Sequence, residues 1–190
     1  MFKRIKAYLT CPKERLTLLK YYFYSMLIVH EDMHTKNLSV RTEEKVIRMS
    51  PLYDIATTGI YQSVCGYESH LPINGKRTKI RPKDFYVLVD LMAINRKTFD
   101  KAASHILLNY TYKLPEYFDK LEKKCEEARV YKQIKFHKRI TQSISLADRM
   151  RKTHQIRVKQ LEENGWYAQM NIPCHVDYPV LQTPFSFNLV

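Results

Sequence analysis

Apolar residues fall into a helical rhythm at Leu16, Leu19, Tyr22, Phe23, Met26 and Leu27. The i, i+3, i+4, i+7 spacing predicts a helix over residues 12–29 with one buried face, and Pro12 suits its first position. The apolar face gives way at His30-Glu31-Asp32, where a loop at the edge of the core is expected. Two short β-type runs follow, Leu38-Ser39-Val40 and Val46-Ile47-Arg48-Met49. The polar link Arg41–Lys45 joins them as a hairpin. Ser50-Pro51 ends the second strand, because proline has no N–H to give to a ladder. A hairpin placed there returns Asp54 toward Asn37.

Residues 55–83 read as loop and strand, with a tight turn at Asn74-Gly75. Arg81-Pro82-Lys83-Asp84-Phe85 looks like the start of a helix. Helical spacing continues through Phe85, Leu88, Val89 and Met92. Beyond Asn95 it runs through Phe99, Ala102, Ala103, Ile106 and Leu107. Residues 115–163 are predicted to be mostly helix, with Pro115 near its start. From Gly165 the chain carries prolines and scattered aromatics, so a body over 1–164 and an irregular strap over 165–190 are expected. The pattern predicts a mainly α fold of the α+β kind, with one or two small β-hairpins and no internal repeat.

At 190 residues, 45% hydrophobic and 12% aromatic, the chain is expected to fold as one globular domain. A formal net charge of +13 favours polyanions: nucleotide phosphates, nucleic acid or an acidic protein. Two basic clusters, Lys76, Arg77, Lys79, Arg81, Lys83 and Lys132, Lys135, Lys138, Arg139, read as solvated faces or as contacts to such a partner. Neither has the aromatic interleaving of a single-strand binding surface. Tyr21-Tyr22-Phe23-Tyr24 reads as core. Cys11, Cys65, Cys125 and Cys174 are far apart and form no Cys-x-x-Cys pair, which argues against structural zinc and suits reduced thiols. The longest apolar stretch, Tyr21–Val29, is too short to span a bilayer. A cytoplasmic protein with no membrane partner is expected.

Within His30-Glu31-Asp32-Met33-His34-Thr35-Lys36-Asn37, two residues five apart stand out, Asp32 and Asn37, and Asp54 follows beyond the hairpin. Phosphoryl transfer needs a carboxylate to accept the proton of the attacking hydroxyl. It also needs an amide oxygen and a second carboxylate to hold Mg²⁺ against the nucleotide phosphates. Protein kinases meet this with Asp-x-x-x-x-Asn, two short strands and a metal-binding Asp. Asn37 also reads as a turn residue and Asp54 as a cap. Lys36, between the two, suits contact with the transferring phosphoryl oxygens. His34 reads as a residue that bonds the backbone and holds the loop, and Glu31 as solvated. His30 and His34 have the i, i+4 spacing of zinc ligands but lack a third.

These residues resemble the HipA family of serine/threonine toxin kinases, whose motif is approximately Asn-x-Asp-x-His-x-Lys-Asn-x-Ser. The chain matches at Asp32, His34, Lys36, Asn37 and Ser39. It departs at His30, where the family usually has Asn, and at Val29, where Gly is common. Two further blocks are similar: Ser50-Pro51-Leu52-Tyr53-Asp54-Ile55, and Leu71–Arg77 followed by Ile80–Phe85. The resemblance implies a kinase C-terminal lobe in which Asp32 is the catalytic base and Asn37 and Asp54 hold Mg²⁺. Lys36 and His34 would support the phosphates and the loop, with ATP as the phosphoryl donor. It also implies a cytosolic protein substrate, such as an aminoacyl-tRNA synthetase, and a helix-turn-helix antitoxin as partner. The N-terminal kinase lobe is expected to be absent, because no glycine precedes Gly59 and no Gly-rich loop precedes Asp32. A separate small protein would then supply that lobe. The alternatives are a non-catalytic lobe that docks an antitoxin or its DNA complex, and a nucleic-acid-binding protein driven by charge.

Overall fold

The computed structural model describes residues 2–60, 66–128, 131–136 and 139–174, with backbone alone for 131–136 and 139–144. Helix α1 covers Phe2–Tyr8 and α2 Pro12–Leu27, with Pro12 at the first helical position. Helix α2 ends in a Schellman turn. The His30 N–H donates to the Ser25 carbonyl at 2.9 Å and the Val29 N–H to the Met26 carbonyl at 3.3 Å. Val29 occupies the left-handed position of that turn, φ 53°. Glycine meets this geometry without cost, whereas a Cβ there costs about 1–2 kcal/mol.

Strands β1 (Val40–Glu43) and β2 (Val46–Met49) pair antiparallel, Val40 opposite Met49 and Glu43 opposite Val46. The first strand therefore lies later than Leu38–Val40, and the link is shorter than Arg41–Lys45. Only Glu44 and Lys45 turn, both at positive φ (48° and 67°), as a two-residue turn requires. Neither is Gly or Asn, so the sequence carries no mark of this turn. Helix α2 fixes the hairpin from beneath. The buried Glu14 carboxylate accepts from the Met49 N–H at 2.8 Å, and the Tyr21 hydroxyl donates to the Ser50 carbonyl at 3.0 Å.

Helix α3 spans Pro82–Leu91 and α4 Arg96–Leu108, the latter capped by Asn95, whose Oδ1 accepts from the Lys97 N–H at 2.9 Å. A turn of π-helix, Asn109–Lys113, carries α4 into α5, Leu114–Ala128. Pro115, second in α5, has no N–H for the carbonyl one turn back. Residues 115–163 are not continuous helix. Strands β3 (Tyr131–Phe136) and β4 (Arg139–Ser145) form a second antiparallel hairpin before α6, Leu146–Glu163. Within β3 only Ile134-Lys135-Phe136 alternates in the period of a strand, a run too short to stand out between charged helices.

Gly165, φ 83°, turns the chain into α7, Trp166–Met170. Folded structure thus runs past the boundary expected at Gly165, and residues 175–190 of the expected strap lie outside the described residues. Trp166 is fully buried in an aromatic cluster with Phe23, Phe85 and Phe99. Phe23 and Trp166 lie 5.0 Å apart, while Phe85 and Phe99 stack at 5.1 Å. The indole N–H donates to the Ile80 carbonyl at 2.8 Å. Each such ring contributes roughly 1.5–3 kcal/mol through burial. This cluster joins α2, α3, α4 and α7 into the core on which the loop after α2 rests.

Among the described residues no helix is long and apolar enough to cross a membrane.

Candidate active site

The Schellman turn delivers residues 30–37 as a compact loop ending in a 3₁₀ turn, Thr35–Asn37. His34 caps that turn. Its Nδ1 accepts from the Lys36 N–H at 3.2 Å, so the ring proton sits on Nε2, which faces Asp32 Oδ1 at 3.5 Å. The Asp32 carboxylate is 61% exposed and open to a substrate. Asn37 is buried, and its amide nitrogen donates to the Asp32 carbonyl at 2.8 Å. That bond orients the side chain and leaves Oδ1 without a partner among the described residues. Lys36 is exposed beside them.

Asp54 is exposed, in the left-handed region at φ 50°. Two clamps hold its segment to the loop. The Tyr53 hydroxyl donates to the Lys36 carbonyl at 2.9 Å. Thr58 straddles His30: its hydroxyl donates to the Val29 carbonyl at 2.6 Å and accepts from the Glu31 N–H at 3.2 Å. Asp32, His34, Lys36 and Asn37 therefore share one loop, and the hairpin brings the Asp54 segment back against it.

His30 is buried, and neither ring nitrogen has a hydrogen-bond partner among the described residues. Burial lowers its pKa, and the Asp32 and Asp54 carboxylates oppose that shift. The Asp54 and Ala56 carbonyls approach the ring without reaching hydrogen-bonding geometry. Among the described residues no three His, Cys, Asp or Glu side chains are arranged to hold a metal ion.

Glu31 is not merely solvated. Its carboxylate accepts from the Tyr67 N–H at 2.6 Å and its carbonyl meets His70 Nδ1 at 2.8 Å. The His70 ring lies edge-on to His34, with centroids 5.8 Å apart. Glu31 thus pins the 66–70 segment to the loop that carries Asp32. The basic cluster beyond is partly structural. Lys76 pairs with the buried Asp84 at 2.9 Å, and the Arg77 guanidinium lies 5.3 Å from the Tyr67 ring centre. Burial alone would raise the Asp84 pKa. Hydrogen bonds from Lys76, Asn74 and the Arg81 N–H outweigh it and hold the pKa low. The side chains of Lys132, Lys135, Lys138 and Arg139, like Cys65, lie outside the described residues.

Nothing local in the sequence marks Tyr53, Thr58 or Glu31 as site residues, because their partners lie 17 to 36 positions away.

A comparison with curated proteins finds no match. The model of the HipA-like C-terminal domain matches residues 1–128, which include the loop, both clamps and the aromatic residues of α2 to α4. That family is kinase-related, and the chain belongs to it.

Proposed function

We propose that this chain is the C-terminal lobe of an ATP- and Mg²⁺-dependent serine/threonine protein kinase from a toxin–antitoxin system. The observation that carries this reading is the joint placement of Asp32 and Asn37 on one loop with the Asp54 segment clamped against it. The donor set fits the cation. Mg²⁺ takes few protein oxygens and completes its shell with phosphate and water, so Asn37 Oδ1 and the Asp54 carboxylate would hold it. When bound, the ion neutralises charge on the phosphate oxygens. Asp32 orients the substrate hydroxyl and accepts its proton, and Lys36 contacts the transferring phosphoryl group. His34 fixes the loop through its bond to the Lys36 N–H.

The substrate we propose is a cytosolic protein such as an aminoacyl-tRNA synthetase, and the partner a helix-turn-helix antitoxin. No glycine precedes Gly59, so the phosphate-covering loop comes from another segment or chain. Positioning supplies most of phosphoryl-transfer catalysis, and the chain alone is expected to transfer phosphate weakly.

Calorimetry with ATP and Mg²⁺ tests the reading. Mg²⁺-dependent binding that weakens at least about tenfold in Asp54→Asn supports it. No binding by the wild type, alone or with a co-purified partner, would leave a non-catalytic lobe that docks an antitoxin.

A further inference from the structure

A buried imidazole without a hydrogen-bond partner lies beneath the segment that carries the proposed metal ligand Asp54. His30 is 1% exposed with both ring nitrogens unbonded, although a neutral imidazole always carries one N–H to donate. The Asp54 carboxylate has no hydrogen-bond partner among the described residues, whereas Asp32 already faces the His34 ring. The position of His30 is fixed on both sides. The Schellman turn fixes the His30 backbone on one side, and Thr58 bonds the residues on either side of His30 on the other. The segment beginning at Asp54 therefore runs past the imidazole, its Asp54 and Ala56 carbonyls close to the ring. Other buried polar atoms without partners, Tyr22 Oη and Ser25 Oγ, lie on α2 within the core.

We infer that His30 is a positioning residue for Asp54: its ring N–H is the donor that orients the Asp54 carboxylate toward the cation. The inference rests on the phosphoryl-transfer reading above. A ligand carboxylate that lacks an orienting donor wanders, and loss of such outer partners weakens metal affinity by roughly 10- to 100-fold. An unsatisfied buried imidazole also burdens the fold, because its desolvation is not offset by a bond. The two effects pull in opposite directions on substitution, and this separates positioning from plain packing.

The test uses the full chain, ATP and Mn²⁺, with bound Mn²⁺ read by electron paramagnetic resonance and melting read in parallel. His30→Leu is expected to melt no lower than wild type yet to bind Mn²⁺ in the presence of ATP about 10- to 100-fold more weakly. His30→Asn, which keeps an N–H donor, is expected to recover most of that loss. Equal Mn²⁺ affinity in His30→Leu and wild type overturns the inference, as does equal weakening in both variants. Should His30→Leu not fold, the ¹⁵N resonances of the His30 ring decide: a hydrogen-bond shift on adding ATP and Mg²⁺ supports the assignment, and no shift overturns it. A wild type that binds Mn²⁺ no better with ATP than without removes the phosphoryl-transfer reading itself, and this inference with it.

Discussion

Asp32 and Asn37 are joined by a bond from the Asn37 amide to the Asp32 carbonyl, so the Asp32 carboxylate, beside the His34 ring, stays open to solvent. Its proposed role begins only when a substrate hydroxyl arrives. Asp32→Asn should therefore retain Mg²⁺-dependent ATP binding and lose phosphate transfer by about 10²- to 10⁴-fold, the usual size of general base catalysis. Calorimetry beside a phosphorylation assay with a reconstituted partner checks both halves, and loss of ATP binding would contradict the assignment. His154 makes a different kind of residue-scale statement. It is buried between the Tyr110 and Phe118 rings, and its Nε2 donates to the Tyr110 carbonyl at 2.8 Å. Burial lowers its pKa to about 4, the carbonyl opposing. The unfolded chain thus binds the proton that the folded chain refuses between about pH 6.5 and 4, so stability rises with pH across that window and falls on acidification. Urea titrations should show about 2 kcal/mol lost between pH 7 and 5, and a shallower loss in His154→Gln. His30, also lowered by burial, adds to the wild-type slope in the same sense.

At the scale of elements, α2, β2, the Asn74-Gly75 turn, α3 and α4 were legible because each carries a local mark. These marks are helical spacing, proline at a helix start, Asn-Gly at a turn with φ 50° and 75°, and Asn95 as a cap. The β1–β2 turn carries none, and the β3–β4 hairpin only the short alternation Ile134-Lys135-Phe136. Glu44 and Lys45 adopt left-handed backbone with side chains that do not announce it, and the strands after Ala128 lie between two charged helices. The candidate site divides the same way. Spacing marks Asp32, Asn37 and Asp54, whereas the Tyr53, Thr58 and Glu31 contacts arise only when distant segments meet. His30 was visible in the sequence as a departure from the family motif and as a spacing partner of His34, neither of which places it. Its burial between the Schellman turn and Thr58 is a tertiary fact.

For the whole molecule the decisive interaction is the buried Arg157 of α6. Its guanidinium donates to the Met26 and Leu27 carbonyls at the end of α2, to Glu68 Oε1 at 2.7 Å and to Gln160 Oε1. Glu68 Oε2 in turn accepts from the Ile80 N–H at 2.9 Å. One side chain therefore ties the end of α2, the 66–80 loop and α6 together next to the start of the 30–37 loop. Arg157→Met keeps the apolar stem but leaves Glu68 buried without its cation, at a cost of about 3–5 kcal/mol in urea unfolding. The double variant with Glu68→Gln should be less unstable than the sum of the two singles. Strict additivity would show that the pair is not coupled.

The same arginine sets an order of events. Met26 and Arg157 are 131 positions apart, and Trp166, the ring that closes the aromatic cluster, is 86 positions from its carbonyl partner Ile80. During synthesis the groups beneath the loop with Asp32 and Asn37 follow it by more than a hundred residues. Until then the Met26 and Leu27 carbonyls lack their bonds from Arg157, and the rings of Phe23, Phe85 and Phe99 lack their fourth member. Contacts of such long range form slowly and leave apolar surface exposed meanwhile. A chain built this way holds its 30–37 loop without that support until Arg157 and Trp166 have joined the fold.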